Sequence, residues 1–166
     1  MTVDVNQLRV LQAEIRSDLK AIDGIDRSIK EADPLGAGIE PPKIVRSGLA
    51  LYLHHFYQAA EQILLRVAKA FDYYQPAGEA WHKGLLDVAS LEIEKVRPPV
   101  ISEETRRELE RYRSFRHVVR HAYEREFLWK GMKDLVADYP RVSARFKSEI
   151  RAFLEVIDEM IRQLEE

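Results

Sequence analysis

Leu8, Leu11, Ile15, Leu19, Ile22 and Ile29 recur at steps of three, four and seven residues over the first thirty positions. That spacing lays an apolar stripe along one side of an α-helix and cannot be satisfied by a strand, whose side chains repeat every two residues. The pattern predicts a helix from about Val5 to Ala32, stopped by Asp33-Pro34-Leu35-Gly36-Ala37-Gly38, with Pro41-Pro42 holding the next residues extended. A second helix is expected from about Ile44 to Tyr73. It is apolar over a wide arc, as the central helix of a bundle must be. Gln75-Pro76-Ala77-Gly78 breaks it, a shorter helix follows from about Ala80 to Glu94, and Arg97-Pro98-Pro99 is the next interruption. Ser102 is placed to cap a fourth helix running to about Tyr123, with Glu103 and Glu104 in a first turn whose dipole favours acid. The last helix starts near Gly131, and Pro140 is expected to kink or split it. No segment alternates with the period of a strand. The expected fold is an all-α antiparallel helical bundle of four to five main helices, with residues 1–166 as one domain.

Composition narrows the setting. A chain of 166 residues can bury a core without covalent staples. It has no cysteine, so disulfides and thiolate metal sites are excluded. No apolar run approaches the ~18 residues of a membrane span. The amphipathic, charged N-terminus lacks the apolar stretch of a secretory signal. A cytoplasmic protein with no membrane association is the expectation. The net charge of −2 argues against coating long nucleic acid, so any contact with nucleic acid must be local.

One place is locally basic. Between Thr105 and Arg125 stand Arg106, Arg107, Arg111, Arg113, Arg116, Arg120 and Arg125, against Glu108, Glu110 and Glu124. This fits an anion-facing surface. It also fits a solvated helix face laced with pairs such as Glu103–Arg107 and Glu108–Arg111. On a helix, Tyr112, Phe115, Val119 and Ala122 form the core stripe, and Arg116 and Tyr123, seven apart, share one edge of it. His121 lies about 140° from Arg116 around a straight helix. A site using both residues therefore needs a bent helix or a second copy of the chain.

Arg116-His117-Val118-Val119-Arg120-His121-Ala122-Tyr123 carries the R-x4-H-x-Y pattern and resembles the HepT-like group of HEPN-domain ribonuclease toxins. Gly78 to Ser90, GEAWHKGLLDVAS, is similar to the segment preceding the motif helix in that group. The resemblance extends from about Gly48 onward. It implies a HEPN-like fold and a metal-independent endoribonuclease toxin acting as a homodimer or higher oligomer. It also implies a small nucleotidyltransferase antitoxin as partner, which blocks the site by moving AMP from ATP to the motif tyrosine. Arg116 and His121 take the catalytic roles and Tyr123 the modified one, with Arg113, His117 and Arg120 as further contacts to RNA phosphate. The chemistry agrees. RNA supplies its own nucleophile in the 2′-hydroxyl, histidine moves protons near neutrality, and arginine offers phosphate a planar cationic fork. The competing reading is a non-catalytic HEPN helical module that binds a nucleotidyltransferase or a nucleotide.

Other residues carry weaker signals. His54 and His55 are adjacent, about 100° apart, unlike a ligand pair at i and i+4. One is expected to flank the core and the other to face solvent or the cleft. Glu79-Ala80-Trp81-His82 is a single E-x-x-H, whereas a di-metal bundle needs two with further carboxylates. Neither a metal nor a cofactor is expected. Trp81 reads as packing, and Tyr52, Phe56 and Tyr57 as core or dimer interface.

Overall fold

The computed structural model describes residues 4–32, 35–36, 38–72, 77–78, 80–120 and 129–166. It contains five helices in the described residues: α1 Val5–Ala32, α2 Lys43–Phe71, α3 Trp81–Ala89, α4 Glu103–Arg120 and α5 Trp129–Glu165. No strand occurs among them, and the architecture is an all-α bundle. α2 is its axis, packing against α1, α3, α4 and α5. The buried face of α1 is the stripe read from the sequence, Leu8, Leu11, Ile15, Leu19, Ile22 and Ile29, joined by Gln12.

Pairs between neighbours set the register. Arg66 of α2 reaches Glu14 and Asp18 of α1. Along α1 and α5, Arg9 meets Glu165, Gln12 donates to Asp158, and Asp26 receives both Tyr139 and Lys147. Along α4 and α5, Glu104 meets Arg145, Glu108 meets Arg141, and Arg111 meets Asp138. For α1 with α5 and for α4 with α5 one number rises as the other falls, so these neighbours run antiparallel. Phe56 holds the centre, with Tyr112, Tyr139 and Phe146 edge-on to its ring at 5.1–6.2 Å. That geometry matches the ring quadrupoles and adds to the burial of each aromatic. Phe56 and Tyr57 are fully buried, and Tyr52 is half-buried.

Ser102 is the N-cap of α4: its Oγ accepts the backbone N–H of Thr105 at 3.1 Å. Replacing it with alanine is expected to cost about 1 kcal/mol, read as a lower urea midpoint with an unchanged slope.

One expectation about a boundary is corrected, and at Pro140 the splitting of the last helix is ruled out. α3 ends at Ala89 rather than near Glu94. Beyond it the chain folds into a tight turn, with Ile93 and Arg97 exchanging backbone hydrogen bonds and Lys95 at its tip in the left-handed region (φ 61°). The reason is Arg97, whose side chain is only 1% exposed. It forks onto both carboxylate oxygens of Asp72 at 2.8 and 2.6 Å and donates to the carbonyls of Val88, Leu91 and Pro98. A continuing helix could not wrap its carbonyls around one guanidinium. α5, in turn, runs unbroken through Pro140. Proline removes one hydrogen bond to the preceding turn. Met132, Leu135, Val136 and Tyr139 before it, and Val142, Phe146 and Ile150 after it, are all buried on one continuous face, which outweighs that loss.

Candidate functional site

Glu61 is the odd residue of α2. It is the one charged residue on that helix's buried face and is 8% exposed. A carboxylate taken out of water needs hydrogen-bond donors. Glu61 Oε2 has two. The Tyr57 hydroxyl, one turn earlier, donates to it at 2.8 Å, and His82 Nδ1 of α3 lies 2.6 Å away. Burial and the Glu61 carboxylate push the Tyr57 hydroxyl far above its ordinary value, so it stays a donor. If His82 gives its Nδ1 proton to Glu61, Nε2 is left as the acceptor. Trp81 stacks on the same imidazole with centroids 3.8 Å apart.

α4 brings Arg116 to the other side of His82. Its Nη1 is 3.1 Å from Nε2 and 3.3 Å from Nδ1. A donor aimed along one nitrogen's lone pair would lie much farther from the other. The near equality therefore places Nη1 out of the imidazole plane. Arg116 Nε is buried and has no hydrogen-bond partner among the described residues. Tyr57, Glu61, His82 and Arg116 thus form one chain of phenol, carboxylate, imidazole and guanidinium across three helices. Such a chain can fix a cation for an anionic oxygen and hold a proton acceptor beside it.

His54 stands one turn before this chain on α2. Burial first, then the charges of Arg116, His55 and Arg120, pull its imidazole below the ordinary histidine value, so it stays neutral beside the arginines. Its Nδ1 is buried without a partner among the described residues. His55 is exposed, so the adjacent pair divides between core flank and solvent as its angular offset requires.

The arginine helix is less cationic than its sequence. Arg106 and Arg107 share Glu103, whose carboxyl they hold down at about 2. Arg111 is shared between Glu108 and Asp138. Arg113 forks onto Glu110 through Nε at 2.8 Å and Nη2 at 2.6 Å. Exposed pairs of this kind stabilise little, but they commit the cations. Arg120 is exposed and forms no ion pair among the described residues, and His117 is exposed on the same turn. Of the core stripe, Tyr112 and Phe115 are buried, and Val119 packs partly buried against the core. His121, Ala122 and Tyr123 lie outside the described residues, as do Glu79, Glu124 and Arg125.

The role of His82 as a link was missed by sequence reasoning, and Glu61 was passed over. Their partners are 21 and 34 residues apart, beyond any local motif. The available signal was a lone carboxylate inside an apolar arc, which demands a buried donor from another helix. A cavity of about 490 Å³ lies elsewhere, between α1 and α5, lined by Ile29, Val136, Tyr139 and Pro140. Its Asp26 and Lys147 neutralise each other, and no histidine lines it. No group of three or more acidic or histidine side chains is placed to hold a metal among the described residues.

Fold and site together define an all-α bundle in which an imidazole of α3 and a guanidinium near the end of α4 are brought together. Residues 48–157 match the family model described as HepT-like protein. The chain belongs to this HepT-like, HEPN-type family, which associates it in general terms with ribonuclease toxins of toxin–antitoxin systems. No curated protein and no solved structure matches it. Among the described residues no helix is long and apolar enough to cross a membrane.

Proposed function

We propose that this chain is a metal-independent endoribonuclease toxin, paired with a small nucleotidyltransferase antitoxin in the cytoplasm, with residues 1–166 acting as one domain. Arg116 binds the scissile phosphate, His121 moves a proton in the cleavage step, and Arg120, His117 and Arg113 contact neighbouring phosphates. The 2′-hydroxyl attacks phosphorus, the 2′-O–P bond forms as the P–O5′ bond breaks, and the products end in a 2′,3′-cyclic phosphate and a 5′-hydroxyl. The observation that carries this reading is the R-x4-H-x-Y pattern in the sequence of residues 116–123, inside the span matched by the family model.

A homodimer is part of the proposal. Arg116 and His121 are offset by about 140° on a straight helix, so a second copy completes the cleft. Exposed Leu51 of α2 and Val118 of α4 support it. They lie at the same end of the α2–α4 pair, where His54 is within electrostatic reach of Arg116 and Arg120. Light scattering is expected to give twice the chain mass, and an active monomer contradicts this.

Incubating the purified protein with total RNA in EDTA is the direct test. Cleavage supports the enzyme; intact RNA with tight binding of a nucleotidyltransferase makes the chain the non-catalytic module instead. The regulatory half is tested separately. The partner enzyme with ATP and Mg²⁺ is expected to add one or more AMP units at Tyr123, seen by intact-mass spectrometry. The added phosphodiester and adenosine would occupy donors and space that RNA uses. Tyr123→Phe is expected to keep nuclease activity and resist inactivation; normal inactivation of that variant removes Tyr123 from the site.

A further inference from the structure

Cleavage by a 2′-hydroxyl needs two proton transfers at opposite sides of phosphorus. One group takes the nucleophile's proton and another gives a proton to the departing 5′-oxygen. One histidine cannot do both in a single in-line step, so a second proton carrier is needed, and the surroundings of Arg116 are the place to look for it within one chain. Three groups there are less suited. The Tyr57 hydroxyl stays protonated and is donated to Glu61. Glu110 is forked onto by Arg113. His54 has its Nδ1 buried without a partner, and no carboxylate hydrogen-bonds its ring among the described residues, so nothing there orients it as a base.

His82 differs from these. Its Nδ1 faces Glu61 at 2.6 Å, which fixes the ring and the tautomer. Its Nε2 lies 3.1 Å from the Arg116 guanidinium, which sits out of the ring plane, and no other described residue bonds that nitrogen. The imidazole keeps some solvent access, with its side chain 19% exposed. A base held by a carboxylate, beside a cation suited to the phosphate, is the geometry in which imidazole activates a hydroxyl.

We propose that His82 is the general base of the cleavage reaction, with Glu61 as its orienting carboxylate; this rests on the ribonuclease reading above. His82 Nε2 takes the 2′-hydroxyl proton as the 2′-oxygen bonds to phosphorus. The P–O5′ bond breaks, and the 5′-oxygen takes its proton from a separate acid, the role that the ribonuclease reading leaves to His121. Glu61 stabilises the imidazolium formed, and the Tyr57 hydroxyl braces Glu61.

The test uses the full-length protein and two RNA oligonucleotides, one with the ordinary 5′-oxygen and one with 5′-sulfur at the mapped cut. Sulfur leaves without a proton, so it bypasses the acid but not the base. His82→Gln is expected to lower kcat by about 10²- to 10⁴-fold on both substrates, with KM and the thermal midpoint near wild type. Glutamine can still accept a hydrogen bond from Arg116 but cannot carry a proton, so a residue that merely positions Arg116 would tolerate it. Should that variant unfold, His82→Asn, which keeps an amide beside Glu61, is measured in its place with the same loss expected. Near wild-type cleavage by the folded variant overturns the inference, as does rescue by sulfur, which would make His82 the acid. A wild-type protein that cuts neither substrate sinks the ribonuclease reading itself.

Discussion

His121→Ala protein is expected to cut RNA about 10²- to 10⁴-fold more slowly than wild type, the range over which a positioned proton-transfer group acts. Arg116→Ala is expected to lose about 10²- to 10³-fold, as when one donor to a developing oxyanion is removed. The two variants should differ in stability. Arg116 is half-buried, and its removal strips the cation from the imidazole that Glu61 holds, so a lower melting temperature accompanies its loss of activity. Single-turnover cleavage beside a thermal melt separates the two effects. Full-rate cleavage by either folded variant would remove that residue from the reaction.

The largest effect on folding is expected at Arg97. Its guanidinium makes two bonds to Asp72 and three to main-chain carbonyls, and its side chain is almost wholly buried. Arg97→Ala leaves the Asp72 carboxylate, itself 9% exposed, without its cation. Breaking a buried pair from one side costs about 3–5 kcal/mol, which is a large share of a domain's total stability. Arg97→Lys should recover only part, because one ammonium cannot reproduce the fork. Urea denaturation of the three proteins checks this, and an Arg97→Ala midpoint equal to wild type would show that the clasp contributes nothing.

The helices were legible because their apolar residues repeat at helical spacing and their ends carry Pro, Gly or a capping serine. Every apolar residue picked out on the first helix is buried in α1, and Ser102 caps α4 as its position required. The segment after α3 was not legible, since LEIEKVR has a helix-compatible pattern and only the burial of Arg97 turns it into a clasp. Nor was the continuity of α5 at Pro140, where packing on both sides of the proline outweighs a local rule. Arg116 was singled out from the sequence because its pattern is local, and the structure shows its contact with His82. The link from Glu61 through His82 to Arg116 could not, because it joins α2, α3 and α4 through side chains distant in the chain. The basic character of α4 was overstated by counting charges, since the carboxylates that neutralise Arg106, Arg107, Arg111 and Arg113 lie one turn before them or on α5.

The central claim is that the RNA's own 2′-hydroxyl is the nucleophile and that arginine and histidine suffice to direct it. The most direct measurement compares an all-ribose oligonucleotide with the same strand carrying a single 2′-deoxy sugar on the 5′ side of the mapped cut, both incubated with the protein in EDTA. The account predicts that the all-ribose strand is cut to fragments ending in a 2′,3′-cyclic phosphate (or 3′-phosphate) and beginning with a 5′-hydroxyl, and that the deoxy strand stays whole at that position. Cleavage of the deoxy strand there, or products beginning with a 5′-phosphate, would contradict it.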